Sequence, residues 1–220
     1  MKILAIDTAT ERCSVALCVG ARWIERAVDT ARGHAEIVLP MVEQVLEEAG
    51  VRLAELAGIA YGRGPGAFTG VRIAIGVVQG LAYGADLPTV GISNLAAVAQ
   101  QVAAPGARIL VCMDARMSEV YWAVFEVADD GLVHAASVES VGAPGSVTAH
   151  SITHAVGTGF AAYPELRARW THVPVRDDLL PHARQIAMLA EPVFRAGQGE
   201  PATRAQPVYL RNQVVSVKTP

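Results

Sequence analysis

Ile3-Leu4-Ala5-Ile6-Asp7-Thr8-Ala9-Thr10 opens the chain as an apolar strand that runs into an acid and a hydroxyl-rich turn. The same order returns in the second half, as Ile109-Leu110-Val111-Cys112-Met113-Asp114. Each copy is followed by a polar turn and a second strand, Cys13 to Val19 in the first and Val120 to Val127 in the other. Each then has a third strand after a glycine turn: Trp23 to Val28 after Gly20, and Leu132 to Val138 after Gly131. A duplication of this kind predicts two α/β lobes of like topology.

Between the copies, strands and helices alternate. Val38, Met41, Val42, Val45, Leu46 and Ala49 recur at helical spacing, with Gly50 as the stop and Pro40 in the first turn or at a kink. A strand at Gly58 to Tyr61 leads through a glycine-rich loop, Gly62 to Gly70, into a helix over Val71 to Tyr83 that Thr69 could cap. A strand near Pro88 to Ile92 and a helix near Leu95 to Val102 complete a first lobe over 1–103. Ala103-Ala104-Pro105-Gly106 is the linker. The second lobe, 104–220, is less regular. It holds a strand and turn at Ala155 to Gly159, a helix over Ala183 to Arg195, and a tail whose part 201–220 is expected to pack back on the first lobe.

Composition narrows the function classes. The 220 residues are 52% hydrophobic and 18% charged, which excludes disorder. A net charge of −3 gives no broad basic field for nucleic acid. The uncharged run Leu87 to Ala107 is interrupted by Pro88, Asn94, Gln100 and Pro105, so no spanning helix is expected, and Ile3 to Ile6 are only four apolar residues before Asp7, so no signal peptide is expected. Cys13, Cys18 and Cys112 read as buried reduced thiols of a cytoplasmic protein.

Three constellations have a functional reading beside a plain one. Asp7, Thr8 and Thr10 at a strand end could hold a metal-bound water and a phosphate, or simply make a turn. With Gly64, Gly66 and the second strand-end acid Asp114 they form the candidate nucleotide-binding set. The second turn, Asp114-Ala115-Arg116-Met117, lacks the small residues a phosphate needs, and Arg116 is suited to pair with an acid. The glycine-rich loop has no following Lys and is either an anion loop or a rigid elbow. Gly76, Gly80 and Gly84 form a stripe on the next helix, where each interior glycine costs about 1 kcal/mol against Ala. Such a stripe suits a closely packed helix, from within the chain or from a partner. No metal site is expected. His150 and His154 lack the glutamate of a metalloprotease helix, and no nucleophile motif supports a protease.

These segments together resemble the TsaB (YeaZ) family. The resemblance rests on Ile3 to Thr10, on Gly62-Arg63-Gly64-Pro65-Gly66-Ala67-Phe68-Thr69-Gly70-Val71-Arg72, on Val90-Gly91-Ile92-Ser93-Asn94-Leu95 and on Asp114-Ala115-Arg116. It is strong over the first 125 residues and thinner beyond, where Val156-Gly157-Thr158-Gly159 and Pro207-Val208-Tyr209-Leu210-Arg211 carry it. It implies an actin-like ATPase (ribonuclease H-like) fold with two related lobes, each a mixed sheet flanked by helices. It also implies a relative of the TsaD transferase that has lost the metal site, because Asn94 and Val98 stand where a His-x-x-x-His pair would be.

The resemblance further implies a non-catalytic scaffold for tRNA threonylcarbamoyladenosine formation at position 37. The expected partners are a TsaD-like catalytic subunit and a TsaE-like ATPase, with a homodimer in isolation and tRNA met only indirectly. The chain itself would require no cofactor, with ATP and Mg at the joint interface. The partner surface would lie on helices about 34–49 and 70–84, with Val38, Val42, Val45, Ile73, Val77, Gly76, Gly80 and Gly84 as its residues. The competing reading is a small actin-like ATPase or kinase that uses Asp7 in an interlobe cleft.

Overall fold

The structure, a computed structural model, describes residues 1–211. The first half forms β1 (Lys2–Asp7), β2 (Arg12–Val19), β3 (Arg22–Asp29), α1 (His34–Ala49), β4 (Gly58–Gly62), α2 (Phe68–Gly84), β5 (Thr89–Ile92) and α3 (Asn94–Gln100). The second half forms β6 (Arg108–Arg116), β7 (Glu119–Val127), β8 (Val133–Ala135), β9 (Ser140–Gly142), β10 (His154–Val156), α4 (Gly159–Ala162), α5 (Pro164–Ala168), β11 (Val175–Arg176) and α6 (Ala183–Arg195).

The duplication is present in three dimensions. The first sheet has the order β3-β2-β1-β4-β5, and the second has β11-β10-β6-β7-β8, with β9 also pairing β7. Read from the other edge, the second is the first repeated. An antiparallel meander (β1 to β3, or β6 to β8) is followed by two parallel strands. Asp7 and Asp114 lie at matching positions, near the carboxyl ends of the first strand of each sheet.

β1 is apolar from Ile3 to Ile6 because both of its faces are covered there. Leu4 and Ile6 pack under α1 and α2, with Val38, Val42, Val45, Ala74 and Val78. Ile3 and Ala5 face α6, which contributes Ala183, Ile186, Ala187, Ala190 and Phe194. That spacing is one helical stripe. The second sheet buries Ile109, Val111 and Phe125 under α3, and Leu110, Cys112 and Val124 under Phe160, Leu166 and Trp170.

Two helices therefore cover the sheet of the other half. α3 precedes the Pro105 turn yet roofs the second sheet, through Leu95, Val98 and Ala99. α6 follows that turn yet lies on the first sheet, and Ser14 on β2 accepts the Ala183 amide at 3.0 Å. Both sheets need their facing sides covered, and α3 and α6 fill that shared layer side by side. The expected division at residues 103 and 104 separates the strands but not these helices.

Some helix ends differ from expectation. Gly50 does end α1, at φ 64°. Pro40 lies in the second turn of α1, on its exposed side, because the helix begins at His34. α2 begins at Phe68, with Ala67 as its cap residue, so Thr69 is an exposed first-turn residue and caps nothing.

The chain after α6 returns to the first lobe. Thr89 and Glu200 exchange backbone hydrogen bonds, Gln79 Nε2 donates to Ala205 O at 2.9 Å, and Val208 N donates to Arg63 O at 2.8 Å. The expected tail packing over 212–220 lies outside the described residues. Among the described residues no helix is long and apolar enough to cross a membrane.

Candidate functional site

Two surfaces qualify: a cleft between the lobes, and the outer face of α1 and α2. The cleft begins with the turn Asp7 to Thr10, and the glycine-rich loop wraps this turn closely. Ala67 N donates to Ala9 O at 2.7 Å, and Thr8 Oγ1 donates to Gly70 O at 2.6 Å. A methyl group at Gly62 would strike the Asp7 carboxylate and Asn94, one at Gly66 would meet Ala9 O at 2.5 Å, and one at Gly70 would overlap Thr8 O. These glycines are needed because the chain lies against its own backbone. The loop is an elbow, closed around the turn that a phosphate would have to approach.

Asp7 is fully buried behind this packing. Its Oδ1 accepts from Asn94 Nδ2 at 2.6 Å, while Oδ2 has no partner among the described residues. Asn94 in turn accepts the Gly64 amide at 2.8 Å. Burial pushes the Asp7 carboxyl up to about 6, against the pull of its hydrogen bonds to Asn94 and the Ala9 backbone.

The cleft has a volume of about 920 Å³. Thr8, Thr10, Gly66 and Asp114 of the candidate nucleotide set line it, whereas Asp7 and Gly64 do not. Gly64, at φ 100°, instead lies under the tail, where a methyl group would meet Val208 O at 2.9 Å. On the opposite wall, Asp114 is engaged already. It accepts from Tyr163 Oη at 3.0 Å and from the Arg116 amide at 2.9 Å, and it pairs with the Arg116 guanidinium at 3.3 Å. Its own amide donates to Thr158 Oγ1 at 3.1 Å. Among the described residues no group of three His, Cys, Asp or Glu could hold a metal. The donor set does not fit a metal–nucleotide pair: one acid is walled off and the other is paired. All three thiols are buried, and burial raises each of them, so they are held as unreactive SH groups.

The hairpin at the cleft rim is strained. Arg116, Met117 and Ser118 have φ of 60°, 55° and 60°, in the left-handed region without a glycine. Such residues cost about 1–3 kcal/mol each and persist only where surrounding contacts hold them.

The second surface corrects part of the expected interface. Val38, Val42 and Val45 face inward and are at most 2% exposed, so they are core residues and not partner contacts. Helical periodicity marks an apolar face but not what covers it, and here β2 does. Ile73 and Val77 are half-buried against the same core. Gly76, Gly80 and Gly84 are exposed, and among the described residues no atom lies within 4 Å of where a side chain would start. Around them stand Tyr83 and a groove lined by Gln79, Ala202 and Thr203. Tyr83 is 78% exposed, and Leu39 is the exposed large apolar side chain of α1.

Relatives match this architecture along its whole length. A family model described as TsaD, tRNA N6-adenosine threonylcarbamoyltransferase, matches residues 28–157. The tRNA threonylcarbamoyladenosine biosynthesis protein TsaB of Escherichia coli K12 is 42% identical, over 100% of this chain and 99% of its own. The chain belongs to the TsaB family. The TsaB of Haemophilus influenzae is 34% identical, over 100% of this chain and 98% of its own. The solved structure of YeaZ from Pseudomonas aeruginosa superposes with a TM-score of 0.86 at 40% identity, covering 95% of this chain and 99% of the other. The two-lobed fold is accordingly the actin-like, ribonuclease H-like one.

In this TsaB-family chain the two positions implied for a TsaD-type metal pair serve the fold. Asn94 ties Asp7 to the glycine-rich loop, and Val98 is fully buried under the second sheet. Sequence reasoning gave His34 only a surface or capping role; its Nε2 lies 2.9 Å from Thr10 O on the cleft wall. It also missed the contacts of Arg211 with the rim hairpin. No local pattern signals either one, because both partners are distant in the chain.

Asp7 leads to a pH prediction. A carboxyl raised from 3.8 to about 6 favours the folded state below pH about 4, and that stability is lost as pH rises through about 6. The loss is about 3 kcal/mol for a shift of about two units. Asp7→Asn keeps the acceptor for Asn94 and carries no charge. In urea unfolding, its stability advantage over the native chain should widen by about 1 kcal/mol between pH 5 and pH 8. A pH-independent difference would show that the Asp7 carboxyl is not shifted.

Proposed function

We propose that this protein is a non-catalytic subunit in threonylcarbamoyladenosine formation at position 37 of tRNA. It would present the α1–α2 face to a TsaD-type catalytic subunit, pair with itself through that face in isolation, and work with a TsaE-type ATPase. The supporting observation is the open stripe Gly76, Gly80 and Gly84. Gly76 and Gly80, interior to α2, carry about 1 kcal/mol each against Ala, Gly84 ends the helix, and among the described residues nothing uses the space they leave. A closely packed partner helix is the arrangement that would. The TsaB relatives, tRNA threonylcarbamoyladenosine biosynthesis proteins by name, support the pathway.

The absence of catalysis by this chain rests on its residues: a buried Asp7, an engaged Asp114, and Asn94 with Val98 where metal ligands would stand. A net charge of −3 supports contact with tRNA through the partner. The cytoplasm follows from the same role and from the three reduced thiols.

The test is omission. Unmodified tRNA is incubated with the threonylcarbamoyl-adenylate synthase, the TsaD-type subunit and the ATPase subunit, with or without this protein. Modification should collapse without it, and the protein alone should turn over no ATP. Equal modification in its absence would refute the role. Calorimetric titration of the isolated chain with Mg-ATP should show no stoichiometric binding, with ATP and Mg bound only in the assembly. Tight binding that is lost in Asp7→Ala would instead support the ATPase or kinase reading.

A further inference from the structure

The tail runs from the first lobe to the hairpin at the rim of the cleft. At its near end, Gln79 holds Ala205 O, Tyr61 Oη accepts the Gln206 amide at 3.1 Å, and Val208 N bonds Arg63 O at 2.8 Å. The Tyr209 ring packs on Phe68 with centroids 5.6 Å apart, and the Arg72 guanidinium lies 3.3 Å over Phe68 and 5.1 Å from the Tyr209 ring. Gly64 leaves the room that Val208 O occupies. The near end is thus held by backbone, amide and stacking contacts, all to β4, α2 and the loop between them.

The far end is Arg211. Its Nε donates to Glu119 Oε2 at 3.0 Å, its Nη2 donates to the same carboxylate and to Ala115 O at 3.2 Å, and its Nη1 lies 3.5 Å from Met117 Sδ. A planar guanidinium suits this multiple engagement. Ala115 and Glu119 flank the three left-handed positions Arg116, Met117 and Ser118, in the hairpin that carries Asp114 and Arg116 into the cleft. One other ion pair, Arg63 to Glu139 at 3.3 Å, joins the end of β4 to the second lobe beside this path.

We propose that residues 205–211 are a strap, anchored on the first lobe, whose Arg211 holds the strained rim hairpin of the second lobe and thereby sets the opening of the cleft. With Arg211 in place the hairpin keeps its left-handed turn. With Arg211 released, the hairpin relaxes and the rim moves away from the first lobe. This reading concerns the cleft and is independent of which partner binds α1 and α2.

Amide hydrogen exchange of the full chain, followed by mass spectrometry, tests the strap. Arg211→Ala should speed exchange over 115–120 about tenfold, with β1 to β5 unchanged, because local opening is separable from global unfolding. Glu119→Gln, which leaves the tail sequence intact, should speed the same segment. Replacing Met117 and Ser118 by Asn and Gly supplies residues at ease in this turn, and in that background Arg211→Ala should change exchange less than about twofold. Spin labels on cysteines placed at Ala35 and Ala161, both exposed on opposite walls of the cleft, should report a longer separation in Arg211→Ala. Exchange over 115–120 unchanged in Arg211→Ala, acceleration spread over the whole chain, or an unchanged label separation would each overturn the proposal.

Discussion

Gly80→Leu should weaken the proposed pairing with a TsaD-type subunit and with a second copy of this chain about a hundredfold, and leave the fold intact. The side chain begins in open space among the described residues, so none of them is displaced. Replacing an exposed helix-interior glycine also adds about 0.8–1 kcal/mol of helix propensity. The melting temperature should therefore hold or rise by roughly 2–4 °C. A helix seated on the stripe, by contrast, meets a branched side chain where it had met backbone. Loss of about 3 kcal/mol of close packing weakens association about a hundredfold. Native mass spectrometry and light scattering read pairing, while calorimetry reads the fold. Wild-type pairing by the variant would remove α2 from the interface. Gly76→Ala is the milder companion, with the same sign on stability.

The second large effect comes from glycines with the same spacing. Gly70→Ala places a methyl group on the Thr8 carbonyl oxygen, and Gly66→Ala places one 2.5 Å from Ala9 O. Backbone cannot rotate out of the way as a side chain can, so α2 and the Asp7–Thr10 turn must separate. This breaks the Ala67–Ala9 hydrogen bond and the one from the Thr8 hydroxyl to Gly70 O. The cost should reach the upper end of the overpacking range, about 3 kcal/mol, and lower the melting temperature by roughly 6–12 °C. Calorimetry of Gly70→Ala beside Gly76→Ala is decisive, since one substitution at two neighbouring helix glycines is expected to change stability in opposite directions. Equal shifts would mean that the loop does not enclose the turn.

Much of the chain was legible before the structure. β1 falls at Lys2–Asp7 and α6 at Ala183–Arg195, as their patterns indicate. The repeat of strand, acid, turn and strand foretold two sheets of one topology, because it is carried by short-range periodicity that each strand repeats. The motifs identified the family. Arg116 has the acid partner expected of it, in Asp114.

Other features needed the folded chain. Gly62, Gly66 and Gly70 and then Gly76, Gly80 and Gly84 form two runs with one spacing in the sequence. Only the fold shows that the first is pressed against Asp7 to Ala9 and that the second faces outward. The stripe of Val38, Val42 and Val45 is apolar in either reading, and only β2 beneath it makes it core. Asp7 looks like a cleft acid until Asn94, from a distant helix, is seen closing over it. The exchange of α3 and α6 between halves and the grip of Arg211 on Glu119 join residues far apart along the chain. Periodicity and turn chemistry describe how a segment bends and which of its sides avoids water. What lies against that side depends on the path of the whole chain, and no local pattern encodes it.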